Sequence, residues 1–411
     1  MRASVLRKFL KQNYENSRKM YKNIYLKPGK DSSLRRFHPW VFSGAIAKIE
    51  NGIEEGDIVR VIDAGGLFMA VGHYEYGSIA VRVLSFEDEE INDSFWFHRL
   101  ANALTMRRNI GVISENNDTF RLVHGEGDVL PGLIIDIYGH TAVMQAHSVG
   151  MHRNRKEIVN ALVKLMGEKL QGVYYKSEGT LPYQADLESE YGYLYGSECS
   201  NVALEYGLHF QIDWIKGQKT GFFIDQRENR RLLERYAKDR TVLNMFCYTG
   251  GFSVYALRGG ARKVTSVDSS ARAIEITDGN VEANFPDCKN HQSVVEDAFK
   301  YLSAMDNSND LIILDPPAFA KHKDAIHNAL KGYTRLNAKA FEKIKAGGIL
   351  FTFSCSQAVN KDQFRLAVFT AAAQSHRYVR ILHQLHQPAD HPINIYHPEG
   401  EYLKGLVLYV E

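Results

Sequence analysis

Cysteine is scarce and scattered in this chain, which argues against two common means of stabilising a fold. The 411 residues include four cysteines, which form neither a Cys-x-x-Cys pair nor a spacing typical of metal ligands: Cys199, Cys247, Cys288 and Cys355. Disulfide frameworks and structural zinc sites need thiols that are paired or clustered. We therefore predict a protein without structural cross-links and without a bound metal.

Long apolar runs are also missing. No stretch approaches the roughly twenty apolar residues that are needed to span a bilayer. The first twenty residues are basic and lack the apolar segment of a signal peptide. We therefore expect a cytoplasmic protein that has no contact with a membrane.

Charge of one sign does not dominate, because the formal net charge is +2, but positive charge gathers at the start of the chain. Residues 1–40 hold eleven Lys or Arg and two acidic residues. Such an arm is a candidate contact for nucleic-acid phosphates. The length predicts two or three domains. We predict a basic, disordered extension and three domains, at residues 1–20, 21–90, 91–197 and 198–411.

Residues 21–90 contain short runs that alternate apolar and polar residues, such as "GDIVRVID" and "IAVRVLSF". Period-two alternation between glycine and aspartate turns predicts the strands of a small β-barrel. Within it, "LRRFHPWVFSGAI" sets basic residues among aromatic ones, a combination that suits RNA. We predict that Arg35, Arg36 and His38 contact RNA, and that Trp40 and Phe42 belong to the core.

The pattern changes twice further along the chain. Residues 91–197 mix helical spacing, as in "RKEIVNALVKLMGEKL", with strand-like runs, which predicts a small α+β domain. After about residue 200, strands and helices alternate. The predicted strands are "RTVLNMF", "KVTSVD", "HQSVV", "DLIILD" and "GILFTFS". Such alternation predicts an α/β fold with a parallel, doubly wound sheet.

Polar residues mark the points where these predicted strands end. A loop with Gly250 and Gly251 follows the first strand and opens a helix, which allows a ligand to approach the backbone closely. Asp268 ends the second strand, where nucleoside ribose is held in such folds. Asp297 follows the third strand and could meet an adenine. A helix cap is the alternative role for Asp268.

Asp315 and Cys355 follow the fourth and fifth predicted strands. Pro316 and Pro317 make the turn after Asp315 rigid. Neighbouring strands of a parallel sheet end at the same edge, so we expect this carboxylate and this thiol to face one crevice. A thiol beside a carboxylate and a nucleoside site suits nucleophilic attack on a pyrimidine ring.

These motifs together resemble the RlmI-type 23S rRNA 5-methylcytosine methyltransferases. The likeness covers nearly the whole chain. It rests on the following stretches: "HPWVFSGAI", "GQKTGFFIDQR", Asn244-x-Phe246-x-Tyr248-x-Gly250-Gly251, Asp268, Asp-Pro-Pro-x-Phe, Phe-Ser-Cys-Ser and "QPADHPINIYHPEGEYLKG". The chain departs from the family pattern at Gln218, where His is frequent, and at Ala318, where Lys is common.

The resemblance implies an N-terminal PUA domain, a class I methyltransferase domain with a Rossmann-like sheet, and S-adenosylmethionine as cofactor. It implies 23S rRNA as the partner, and a homodimer is left open. Cys355 would attack the base, and Asp315 would contact it. The residues implied for the cofactor are Phe222, Asp225, Gln226, Arg227, Phe246, Tyr248, Gly250, Asp268, Ser269, Asp297, Ala298 and Asp315.

Three alternatives stay open. A related rRNA methyltransferase that makes 7-methylguanine would need no thiol, so Cys355 counts against it. A non-catalytic RNA-binding factor would have no use for the set Asp268, Asp315 and Cys355. A 5-methylcytosine enzyme that acts on another rRNA position or on tRNA fits the sequence equally well, because the choice of position depends on surface shape and RNA fold.

Overall fold

The computed structural model describes residues 21–181, 191–320 and 322–411. The described residues form two compact units. The first takes the described residues up to Asn201 together with Trp214–Gly221 and Asp390–Gly400. The second takes Val202–Asp213, Phe222–Ala389 and Glu401–Glu411. The predicted extension at residues 1–20 lies outside the described residues.

The first unit begins with a six-stranded sheet, which agrees with the strands predicted for residues 21–90. Its spatial order is β2-β6-β5-β4-β1-β3, with β1 and β4 parallel and the other pairs antiparallel. Its core holds β-branched and aliphatic residues such as Ile24, Val59 and Val81. The strands are β1 Lys22–Leu26, β2 Trp40–Phe42, β3 Ile46–Ile49, β4 Ile58–Ile62, β5 Phe68–Tyr74 and β6 Ile79–Ser85.

One residue of this sheet corrects a prediction. Phe42, expected in the core, is 46% exposed, whereas Val41 is buried. Successive side chains of a strand point to opposite faces, so the inward Val41 turns its neighbours outward. Trp40 is partly buried on that face, where its Nε1 donates a hydrogen bond to Glu126 at 2.9 Å.

A five-stranded sheet follows in the first unit, in the order β11-β10-β9-β8-β7, with β9 and β10 parallel. Its strands are β7 Thr119–His124, β8 Leu133–Tyr138, β9 Thr141–Ala146, β10 Gly172–Tyr175 and β11 Gly192–Gly196. The helices α1 Asp93–Asn109, α2 Val149–Arg153 and α3 Arg155–Met166 complete this α+β region. Ile158 and Leu162 of α3 enter its core, as the helical spacing predicts.

The second unit is built on a seven-stranded sheet with the order β16-β15-β14-β17-β18-β20-β19. The first five of these strands in the spatial order are parallel, which confirms the predicted doubly wound α/β fold. They are β14 Thr241–Met245, β15 Lys263–Asp268, β16 His291–Val295, β17 Leu311–Leu314 and β18 Gly348–Ser354. The last two strands are additions that the sequence patterns do not predict. β20 Lys404–Val410 is antiparallel to β18, and β19 Val379–Leu385 is antiparallel to β20, so β19 runs in the same direction as the first five.

The remaining elements of the second unit connect these strands. A hairpin of β12 Val202–Glu205 and β13 Leu208–Gln211 precedes the sheet. The helices are α4 Arg227–Ala237, α5 Gly251–Arg258, α6 Ala271–Asn284, α7 Ala298–Ala304, α8 Ile326–Lys343 and α9 Lys361–Gln374. The stretches predicted as helices, "SARAIEITDGNVEAN" and "NALKGYTRLNAKAFEKI", correspond to α6 and α8. Within the described part of the chain, no helix is both long and apolar enough to cross a membrane.

Candidate active site

The chain leaves β14 through a loop with unusual backbone geometry. Phe246, Tyr248 and Gly250 have φ angles of 58°, 48° and 78°. Aromatic residues rarely adopt this left-handed conformation, since their Cβ then approaches the following carbonyl oxygen. Asp268 supports the loop, because its carboxylate accepts a hydrogen bond from the Tyr248 backbone N–H at 2.9 Å. Backbone strain that is held in place by neighbouring residues is typical of ligand sites.

Glycine is required at position 250 for two reasons. A Cβ there would lie 2.6 Å from Cγ2 of Thr277, and the φ of 78° is one that glycine adopts without strain. The preceding residue, Thr249, is buried, and its hydroxyl has no hydrogen-bond partner among the described residues. A buried hydroxyl without a partner is costly, so this loop fits a ligand that carries polar groups.

The second and third parallel strands bring two carboxylates to the same edge of the sheet. Asp268 pairs in register with Val295, so Asp297 lies just beyond the end of the neighbouring strand. Asp268 is half-buried and also accepts a hydrogen bond from the Ser270 N–H at 2.9 Å. The cap of α6 is Ser270 itself, whose hydroxyl accepts from the Ala273 N–H, so Asp268 is left to support the loop.

The surroundings of Asp297 are partly apolar and partly open. Asp297 is exposed and caps α7 by accepting a hydrogen bond from the Lys300 N–H at 3.0 Å. Ala298 is buried at the first position of that helix, and Ser269 is exposed in the turn after β15. Val295 is 53% exposed at the end of its strand. An open aliphatic side chain beside a carboxylate suits the face and the edge of a purine.

The segment that leads into α4, together with the first residue of that helix, holds four of the predicted cofactor residues, and all four are buried: Phe222, Asp225, Gln226 and Arg227. Arg230 fixes this segment from the helix. Its guanidinium lies 4.6 Å from the Phe222 ring, and its Nη1 donates to the Phe223 carbonyl at 2.9 Å. The charge of Arg230 is compensated by the buried Glu205, at 2.7 Å.

Hydrogen bonds orient the polar members of the same segment. The hydroxyl of Tyr402 donates to Asp225 Oδ2 at 2.7 Å, and the amide of Asn229 donates to Gln226 Oε1 at 2.6 Å. Phe223 is half-buried, and its ring meets the Tyr248 ring edge to face at 5.0 Å. The segment therefore reaches the strained loop through Phe223, a contact that the sequence reading did not identify.

The fourth and fifth parallel strands place the predicted thiol and carboxylate side by side in the sheet. β17 pairs with β18, and Leu314 lies opposite Thr352 in the register. Asp315 and Cys355 follow within three residues of that pair, and both are half-buried. The Cys355 thiol lies 4.0 Å from the carbonyl oxygen of Pro316, so it contacts the turn that Asp315 begins.

The serines that flank Cys355 are turned inward. Ser354 Oγ donates to the hydroxyl of Tyr333 at 2.9 Å, and Ser356 Oγ lies 2.9 Å from the same hydroxyl. Both serines and Tyr333 are fully buried, whereas Cys355 is half-buried. Tyr333, on α8, thus anchors both neighbours of the thiol. No motif in the sequence pointed to it, because it lies more than twenty residues away in the chain.

The other cysteine near the site is a poor nucleophile. Cys247 is buried, and its thiol lies 3.9 Å from the hydroxyl of Thr277. Burial, followed by the charge of Asp268, raises the pKa of Cys247 well above its ordinary value, so the thiol stays protonated. Of the two thiols, Cys355 is the one with the more open position.

The three predicted RNA contacts lie in the segment between β1 and β2 of the first unit. Arg35 is exposed but forms ion pairs with Asp31 and Asp63. Arg36 is exposed, and its Nε donates to the Ser32 carbonyl at 3.2 Å. His38 is half-buried, and its Nδ1 accepts from the Trp40 N–H at 3.2 Å. Arg36 therefore carries the positive charge that is most available to a partner.

Comparison with known proteins identifies the domains. Residues 24–86 match the family of PUA-like domains, and residues 180–398 match the S-adenosylmethionine-dependent methyltransferase family. A protein from Alteromonas mediterranea, named Ribosomal RNA large subunit methyltransferase I, is 40% identical over 95% of this chain and 99% of its own. A protein of the same name from Pseudoalteromonas translucida is 41% identical over 94% and 99%.

This chain belongs to the ribosomal RNA large subunit methyltransferase I family. Solved structures agree with the fold: a methyltransferase complexed with SAH aligns at a TM-score of 0.81, with 25% identity, over 94% of this chain and 100% of its own. A protein from Streptococcus mutans, assigned as a SAM-dependent methyltransferase, aligns at 0.80 with 24% identity over the same shares. S-adenosylmethionine is therefore the cofactor of this family member, and the loop, hydroxyl and carboxylates at the edge of its sheet fit that group.

The strained loop makes a prediction about Gly250, with Gly260 as a matched control. Both glycines have φ near 80°, but a Cβ at Gly260 meets nothing closer than 3.8 Å. Gly260→Ala should cost about 1–2 kcal/mol of unfolding free energy through its backbone conformation alone. Gly250→Ala should cost a further 1–3 kcal/mol, roughly, because of the contact with Thr277. Denaturant unfolding without cofactor measures both; equal losses would contradict the close packing.

Proposed function

We propose that this chain methylates C5 of a cytosine in 23S rRNA through a covalent adduct between Cys355 and C6 of the base. One observation carries the proposal: the half-buried thiol lies against the turn that begins at Asp315, while its serine neighbours are held inside by Tyr333. The names of the relatives support ribosomal RNA of the large subunit as substrate.

The chemistry needs a thiol because C5 of cytosine is a weak nucleophile. Attack of the Cys355 thiolate on C6 forms a sulfur–carbon bond and makes C5 enamine-like. Bound S-adenosylmethionine supplies an electrophilic methyl group on its sulfonium. Once C5 carries the methyl group, loss of the C5 proton to a base restores the C5–C6 double bond and expels the thiolate. Attack of this kind depends on the thiolate and not on the thiol.

Asp315 is assigned to binding the target cytosine. It follows β17 at the edge where Cys355 follows β18, so both side chains can act on one ring. A carboxyl group there can hydrogen bond to N3 and to the exocyclic amine of cytosine. The target base must leave its stack to reach this edge, which costs a few kcal/mol unless it already lies in a loop.

The cofactor is assigned to the part of the same sheet edge that is formed by the ends of β14, β15 and β16. Asp268 would accept hydrogen bonds from the ribose hydroxyls, and Asp297 with Val295 would meet the adenine. The loop residues Phe246, Tyr248 and Gly250 would approach it with their backbone, as glycine-rich loops do at helix N-termini. The segment Phe222–Arg227 would support this loop through Phe223.

The first unit is assigned to RNA affinity and not to chemistry. Arg36 is exposed and basic, and Phe37 and Phe42 are exposed aromatic residues near it in the chain. Guanidinium groups bind phosphates, and aromatic rings stack on bases that are splayed out of a helix. Residues 21–90 would therefore hold the RNA while the second unit performs methyl transfer.

Replacing the nucleophile gives the sharpest test of the function. Cys355→Ser should lose methyl transfer almost wholly, since a hydroxyl at neutral pH is a far weaker nucleophile than a partly ionised thiol. Wild-type protein and RNA with 5-fluorocytosine at the target should form a trapped adduct, because fluorine cannot leave as a proton does. Mass spectrometry should detect this adduct.

Cys247→Ser is the matched control for that experiment. The adduct should persist in this variant, because the Cys247 thiol is buried and protonated. Cofactor binding should survive in both variants. If Cys355→Ser methylates at nearly the wild-type rate, the covalent route is wrong, and formation of 7-methylguanine, which needs no nucleophile, becomes the better explanation.

The assignment of Asp268 is tested by cofactor affinity. Asp268→Ala should weaken S-adenosylmethionine binding by about 1.5–3 kcal/mol, the loss expected for hydrogen bonds to a charged group. Isothermal titration calorimetry measures the change, and Glu282→Ala, at an exposed position of α6, is the control for a lost carboxylate. Unchanged affinity in the Asp268 variant would remove this residue from the cofactor site.

The assignment of Arg36 is tested by salt dependence. Arg36→Gln should lower the slope of log affinity against log salt by about 0.7, the value for one lost phosphate contact on single-stranded RNA. Arg380→Gln removes the same charge from β19, at an exposed position that pairs with Glu411. An equal change in both variants would show a general charge effect instead of a contact at Arg36.

A further inference from the structure

Lys404 lies beside Cys355, although it is distant in sequence. It is the first residue of β20, and it stands opposite Ser354 in the antiparallel pairing of β18 with β20. Its ammonium donates a hydrogen bond to the Ser356 carbonyl at 2.6 Å. The ammonium therefore binds the backbone immediately after Cys355, from the strand that follows β18 in the sheet.

The burial of this ammonium calls for an explanation. Lys404 is 6% exposed, and it is the only lysine among the buried residues that the structure describes. Lysine is almost never fully buried unless it is paired, because removal of its charge from water is costly. One carbonyl oxygen is a weak compensation for a full positive charge, so an anion at this position would lower the cost considerably.

Among the acidic groups at this edge, the thiolate of Cys355 is the best candidate to compensate the charge of Lys404. Glu401 is the other acidic group that acts on Lys404, but its carboxylate pairs with Lys361 at 2.6 Å. Tyr333 stays neutral, because burial raises its pKa. Asp315 follows β17, which lies on the opposite side of β18 from β20, and an ionised carboxylate there would oppose ionisation of the thiol. A cation near Cys355 is therefore needed if the thiolate is to form readily.

Electrostatics agree with this arrangement. Burial lowers the pKa of Lys404 to about 8, and the negative charges of Cys355 and Glu401 act in the opposite direction. The coupling between two charges is reciprocal, so an ammonium that is favoured by the thiolate also favours the thiolate. Thiols beside a lysine ionise more readily than a free thiol, and reactive cysteines typically lie in electropositive surroundings of this kind.

We propose that Lys404 is a positioning residue for methyl transfer: it fixes the Ser356 carbonyl, and its ammonium stabilises the thiolate of Cys355. The inference rests on the proposed function, in which Cys355 is the nucleophile. It adds a residue outside the motifs at the strand ends and gives a reason for the lysine in "EYLKG". Lys404 touches neither the cofactor nor the base in this assignment.

The test measures ionisation of the thiol without RNA or cofactor. Full-length protein is treated with iodoacetamide across a range of pH, and alkylation of the Cys355 peptide is followed by mass spectrometry. The rate follows the thiolate fraction. Lys404→Met should raise the apparent pKa of Cys355 by about one unit, which corresponds to roughly tenfold slower alkylation below that pKa. Lys404→Arg keeps the charge and should remain within a few tenths of a unit of wild type.

Tyr333→Phe is the matched structural control. It removes the anchor of Ser354 and Ser356 but leaves the charges unchanged, so it should alter stability more than the midpoint of alkylation. Thermal unfolding and cofactor affinity of each variant show whether it has folded. An unchanged midpoint in Lys404→Met, or an equal shift in Lys404→Arg and Lys404→Met, would overturn the proposal.

If the Lys404→Met variant does not fold, a reciprocal measurement still tests the proposal. In wild-type protein and in Cys355→Ala, carbon-13 NMR of the lysine side chains follows the titration of Lys404. Loss of the thiolate should lower the pKa of Lys404, and no change would overturn the proposal. Neither measurement involves methyl transfer. A result against the pairing of Lys404 with Cys355 is therefore distinct from a result against the covalent mechanism, which the Cys355→Ser assay tests.

Discussion

Parallel pairing of five strands is the constraint on which the site depends. Each parallel strand must run in the same direction, so the chain leaves every strand at one edge of the sheet, and the polar residues that follow collect there. The pairing of β14 with β15 and β17 brings the strained loop, Asp268 and Asp315 to that edge. The pairing of β17 with β18 adds Cys355. The candidate site is therefore assembled from several strand ends, without any single motif that holds all its residues.

Hydrogen bonds within the sheet and to its helices then determine which side chains face out. Ser354 and Ser356 both hydrogen bond to Tyr333 inside the protein, whereas Cys355 between them is only half-buried. The same logic applies at the loop, where Asp268 holds Tyr248 in a strained conformation. In each case a buried polar contact fixes the backbone, and the neighbouring group is left accessible. A strained backbone and an accessible neighbouring group occur together because the contacts that stabilise the strained conformation are directed inward.

Local patterns predicted much of this arrangement and missed the rest for a physical reason. The five parallel strands and the helices α6 and α8 follow from hydrophobic periodicity, which is a local property of the chain. The strands β19 and β20 were not predicted, although β20 pairs along the whole of β18. The pairing partner of a strand depends on residues far away in the sequence, so Lys404 could not be placed beside Cys355. Phe42 was assigned to the core because aromatic character alone does not show which face of a strand is buried.

The sequence by itself determined the class of fold, the family, the cofactor and the residues that end each parallel strand. Strand ends are visible as a change from apolar to polar residues, and the motifs there are contiguous or nearly so. Only the tertiary structure decided how those ends are supported: Tyr333 behind the serines, Arg230 behind Phe222, Tyr402 at Asp225 and Lys404 beside the thiol. Each of these contacts joins separate elements across a buried surface, and such contacts leave no periodic or adjacent signal in the chain.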